Sequence, residues 1–122
     1  MNLRSFRERY GRMAWPQQLG NLASTLARIS SRCSRPEHDP LVTDLLREAA
    51  LLIEWSAAHT SPAIHPDLAA MQREVMAWRQ HWPLDQARPL LALRARQMSE
   101  ALLRMAGLGI SSSYLESRSR EV

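Results

Sequence analysis

Apolar residues recur along this chain at steps of three and four, and no segment holds the strict alternation of a half-buried strand. The first clear stripe, Leu19, Leu22, Leu26, Ile29 and Cys33, predicts a helix from Pro16 to Cys33 with Asn21, Arg28 and Arg32 on the opposite face. Pro16 suits an initial helical position, where its missing N–H leaves nothing unpaired. Pro36 interrupts the period, and Asp39 before Pro40 reads as the cap of a second helix running to Ala58. Its inner face is Val42, Leu45, Leu46, Ala49, Leu52, Ile53 and Ser56, while Leu51 and Trp55 fall on the shoulder. After the loop His59–His65, a third helix opens at Pro66. It stacks Leu68, Met71, Val75, Trp78 and Trp82 into one stripe, so both tryptophans are expected in the core. Pro83 stops it. Asp85 reads as the cap of a fourth helix, with Pro89 in the first turn. Its expected inner face is Leu90, Leu91, Met98, Ala101, Leu102 and Met105, and Gly107 provides the stop.

Four amphipathic helices on short connections favour antiparallel neighbours. The expected fold is therefore all-α: an up-down antiparallel four-helix bundle over residues 15–108. Residues 1–14 form a basic N-terminal arm or a short extra amphipathic helix, with Leu3, Phe6, Tyr10 and Met13 at helical spacing and Arg4, Arg7, Arg9 and Arg12 between them. Residues 109–122 are polar and Ser-rich and are expected to be a mobile tail, although Leu108, Ile110, Tyr114 and Leu115 would suit a short docked helix.

Length and composition agree with one globular domain: 122 residues, 45% apolar and 23% charged. All 16 basic residues are Arg. Without Lys there is no phosphate loop of the Walker type and no Schiff-base chemistry, and Arg does not titrate as a base. The net charge of +4 is uneven: residues 1–35 carry +6, residues 36–87 carry −5 and residues 88–122 carry +3. A basic start can meet an anionic partner, or it can attract the acidic middle within one bundle. The single cysteine, Cys33, excludes an internal disulfide and lies on the first helix's apolar stripe, as a small core residue would. No signal peptide and no stretch of membrane-spanning length is visible, so a soluble cytoplasmic protein is expected.

Searching for chemistry mostly removes it. A di-iron bundle site needs Glu followed three residues later by His, but Leu51, Ala57, Ala77 and Leu103 stand three residues after Glu48, Glu54, Glu74 and Glu100. Zinc spacing and a nucleophile elbow are missing too. Arg32 and His38 fit the spacing of some small helical RNases, yet with so many arginines chance alone supplies about 1.6 such matches. His81 falls on the third helix's outer face. One residue breaks the pattern: Arg94 lies within the fourth helix's apolar stripe, and a buried guanidinium must snorkel, pair with an acid or meet a partner.

The favoured reading is a non-enzymatic interaction module that binds a protein partner or itself as a homodimer, with no cofactor or metal. Leu51, Trp55, Phe6, Tyr10 and Arg94 are the candidate contacts, with Trp55 at their centre. The alternatives are an anionic-surface binder for nucleic acid or acidic lipid, through Arg4, Arg7, Arg9 and Arg12, and a small helical enzyme such as an RNase. A cis arrangement, with the arm folded over Leu51 and Trp55, would satisfy the same surfaces.

Overall fold

The computed structural model describes residues 2–107, and every regular element among them is helical. Five α-helices follow one another: α1 (Leu3–Gly11), α2 (Trp15–Arg32), α3 (Asp39–Ala57), α4 (His65–His81) and α5 (Arg88–Met105). Short 3-10 turns at Pro36–His38, Pro62–Ile64 and Asp85–Ala87 lead into α3, α4 and α5. Proline is the second residue of each long helix, at Pro16, Pro40, Pro66 and Pro89, where the backbone angle it imposes is already helical. Gly107 follows α5 at φ +71°, the left-handed conformation that closes a helix cheaply only at glycine. None of the described helices is long and apolar enough to cross a membrane. The expected tail at 109–122 lies outside the described residues.

These helices form an all-α bundle in which α2 packs against both α3 and α5, and α4 packs against α3. Cross-helix hydrogen bonds fix the directions. Ser99 Oγ donates to the Ala23 carbonyl and Ser30 Oγ to the Ala92 carbonyl, both at 2.7 Å, so α2 and α5 run antiparallel. Between α2 and α3, Thr25 pairs with Glu48 while Gln18 and Ser56 meet at Tyr10, which is again antiparallel. Small residues at the α2–α5 contact, Ala23, Ala95 and Ser99, let the two backbones approach.

The stripes expected for α2 and α3 are buried throughout, Cys33 included. Burial also pushes the Cys33 thiol above its ordinary pKa, leaving little thiolate at neutral pH. Other expectations need correction. The buried face of α5 is Leu91, Ala95, Met98 and Leu102; the Ser30–Ala92 and Ser99–Ala23 hydrogen bonds hold α5 against α2, and Leu90 projects outward, 61% exposed. On α4, Leu68, Met71 and Val75 are buried, but Trp78 and Trp82 are only partly so, because α5 stands away from that end of α4. Asp39 and Asp85 do not cap α3 and α5; both carboxylates are drawn to Arg88 instead.

Candidate functional site

Most of the arm's apolar stripe packs within the chain: Tyr10 is buried and Phe6 and Met13 partly so, while Leu3 stays exposed. Asn2 accepts from the Arg4 and Ser5 amides and starts α1, which lies across α3. Phe6 meets the Trp55 ring edge-on with centroids 5.5 Å apart, and Tyr10 packs against it at a tilt, 6.0 Å away. Tyr10 is fully buried: its hydroxyl donates to the Gln18 carbonyl at 2.7 Å and takes a hydrogen bond from Ser56, while Gln18 Nε2 donates back to the Tyr10 carbonyl at 2.9 Å. Desolvation raises the phenol's pKa to about 12. Trp55 is thereby 8% exposed and Leu51 half-buried. The arrangement is the cis one: of the candidate contacts, Phe6 and Tyr10 belong to α1 and pack on Trp55, and Leu51 is half-buried against the core. Trp55 lies on the shoulder of α3, off its inner stripe, and is buried because α1 supplies the cover.

Arg94 takes the acid-paired option. It forms a two-pronged ion pair with Glu74 at 2.9 and 3.0 Å, joining α5 to α4, and bonds Gln97 at 2.7 Å. Glu74 holds the guanidinium's pKa above its ordinary value. Arg4, Arg7 and Arg9 stay exposed on α1 and Arg12 at its C-terminal cap; Arg4 reaches Glu8 at 3.6 Å, a surface pair of little energetic weight.

A polar node at the opposite end of the bundle had no counterpart in the pattern of the sequence. Arg88, the first residue of α5, is buried and spends four of its five N–H groups. Two reach the Asp39 carboxylate at 2.7 and 2.9 Å, one the Asp85 carboxylate at 2.9 Å and one the Cys33 carbonyl at 2.9 Å. This ties the start of α5 to the end of α2 and the start of α3. The Arg88 hydrogen bonds hold Asp39 below the usual carboxylate range. The only local hint in the sequence is Asp85 three residues ahead of Arg88; Asp39 is 49 residues away.

Arg88 also lies over the Trp82 ring, 4.9 Å from its centroid, and so braces the wall of an open seam. The α4 and α5 backbones come close at few positions, unlike those of α2–α3, α2–α5 and α3–α4. The Glu74–Arg94 pair straps the seam at mid-length. On one side of the strap, a cleft of about 330 Å³ runs past Met71, Met98 and Met105, with Asp67 and Arg104 at its edges. On the other, an apolar hollow of about 150 Å³ is lined by Ala77, Trp78, Trp82, Leu84, Leu90 and Leu91. His81 reaches the same hollow, and Leu84 and Leu90 are 50% and 61% exposed.

No family model, curated protein or solved structure matches the chain. Arg32 is exposed at the end of α2, and His38 ends the turn that follows. Sequence reasoning missed the hollow because it assigned Trp78, Trp82 and Leu90 to a closed core; Pro83 and Pro89, which hold the turn between α4 and α5, were the available signal.

Proposed function

We propose that this chain is a non-enzymatic helical interaction module, and that it binds another polypeptide through the hollow end of the α4–α5 seam. The observation that carries this reading is the hollow itself. Two tryptophans and three leucines surround a space fit for one apolar side chain, and two of the leucines, Leu84 and Leu90, stand out in solvent. Aromatic-walled pockets of this kind receive the anchor residue of a protein interface. Arg88, locked by Asp39 and Asp85, holds Trp82 in place beforehand, so little ordering is required on docking. A photo-crosslinking amino acid in place of Leu84, in cells, tests the reading. It should give discrete protein adducts that disappear with Leu90→Asp, and their absence would end it.

One observation favours a second reading. Because Phe6 and Tyr10 pin α1 to α3, Arg4, Arg7 and Arg9 are held out on one ordered helix, with Arg12 at its C-terminal cap. Such a helix suits the phosphates of nucleic acid or acidic lipid. Retention on DNA, RNA or anionic vesicles should then fall steeply with salt, releasing up to about four ions, and exchange of the four arginines for Gln should flatten that dependence. No retention at low salt would remove this reading.

A further inference from the structure

We infer that the corner between α1, α2 and α3 is a binding site for an α-amino acid with a short aliphatic side chain. This goes beyond the interaction reading and uses a different part of the molecule. The corner holds a cavity of about 170 Å³. Its lining divides by element. Phe6 of α1, Met13 in the turn that follows it and Leu52 of α3 supply an apolar wall. The polar groups come from α2, where Asn21, Thr25 and Arg28 share one face at steps of four and three, and from Glu48 of α3.

Opposite charges line this cavity without neutralising each other. Neither Arg28 nor Glu48 takes part in an ion pair among the described residues. Glu48 is still held in place: the buried Thr25 hydroxyl donates to its Oε2 at 3.0 Å, which leaves Oε1 open to another donor. Asn21 spends both amide hydrogens, on the Gln17 carbonyl at 3.0 Å and on the Met13 sulfur at 3.3 Å. Its Oδ1 is then a second fixed acceptor with no donor among the described residues.

This arrangement selects the ligand. Glu48 Oε1 and Asn21 Oδ1 suit an ammonium group, and the Arg28 fork suits a carboxylate. Because the polar groups gather on α2 and at Glu48, and the apolar ones on α1 and at Leu52, the ligand must carry both charges at one end and an apolar body at the other. An α-amino acid has that form. An ω-amino acid separates its charges by the length of its chain, and a quaternary amine has no N–H for the two acceptors. The cavity is slightly larger than one that holds benzene, so it admits a four-carbon side chain with the charged end at the mouth, where Arg28 is exposed.

Nuclear magnetic resonance titration of the full chain with leucine, following the Met13 methyl group and the Asn21 side-chain amide, tests the inference. Both signals should shift and saturate with a Kd of about 1 mM or tighter, as befits a ligand of this size. Glu48→Gln and Arg28→Gln should each raise that Kd at least about tenfold, with the helical dichroism unchanged. Leucinamide and isocaproate, which each lack one charge, should bind at least about tenfold more weakly than leucine. So should ε-aminocaproate, an isomer of leucine with its charges at opposite ends. No shift of either signal up to about 20 mM leucine overturns the inference. Binding that both variants leave unchanged also overturns it, as does binding of any of the three analogues as tight as that of leucine.

Discussion

The two ends of the bundle handle surplus apolar side chains in opposite ways. At one end, Trp55 and Leu51 lie off the inner stripe of α3, and α1 folds across them, with Tyr10 bonded into the α2–α3 corner. At the other, Trp78 and Trp82 continue the inner stripe of α4, yet α5 stands back and leaves them around an open hollow. A position outside the stripe is closed, and a position on it is open. Burial is decided by which element arrives to cover a face, and a periodic stripe only says that a face needs covering.

Trp55→Ala should separate the ends most sharply. Trp55 is in contact with two aromatic rings and the α3 core, so its removal leaves a cavity under α1, with an expected loss of about 3–5 kcal/mol in fold stability. Leu90→Asp, on an exposed face, should change the stability of the monomer by no more than about 0.5 kcal/mol. Urea unfolding of both variants at a concentration where the chain is monomeric checks the pair. Equal losses would mean that the hollow is as closed as the Trp55 corner.

The ends should also fail at opposite extremes of pH. Tyr10 titrates near 10 when unfolded and near 12 when folded, so between those values the unfolded chain has released a proton that the folded chain retains. Its contribution is intact below pH 10 and is lost as pH rises toward 12, a fall of about 2–3 kcal/mol. Stability measured against pH should show this drop, and Tyr10→Phe should abolish it at the cost of a buried hydrogen bond. Asp39 works with the opposite sign. Its folded pKa lies below the ordinary carboxylate value of about 3.9, so its contribution is present above that value. It disappears as acid drives the pH down through the folded pKa, because the unfolded chain takes up the proton first. Asp39→Asn should remove this part of the acid sensitivity while leaving the alkaline drop unchanged.

Much of the fold was legible because it is local. Proline at the second position of four helices, together with the three-and-four spacing of Leu19 to Cys33 and of Val42 to Ser56, placed the elements and most of the core. What stayed hidden was settled between elements distant in sequence. Arg88 reads as a surface arginine beside Pro89 until Asp39 and the Cys33 carbonyl reach it from other helices. Leu90 and Leu91 are adjacent apolar residues, and the packing of α5 on α2 decides that Leu91 is buried and Leu90 projects. Helical periodicity cannot show that α1 covers Trp55 or that nothing in the described chain covers the hollow.

The smallest expected effect probes the seam directly. Arg94 and Glu74 form the strap between α4 and α5, but their side chains are 41% and 30% exposed. Water screens such a pair, and its net contribution is held under about 1 kcal/mol despite the two-pronged geometry. Arg94→Met keeps the apolar stem against α4 and removes only the charge, so denaturant unfolding of this variant should register a loss within that bound. The strap would then be a guide that aligns two helices across an open groove. A loss above about 2 kcal/mol would carry the signature of a desolvated ion pair, which forms only where packing excludes water. The seam would then be shut at mid-length, and the contrast with the Trp55 corner would narrow to the hollow alone.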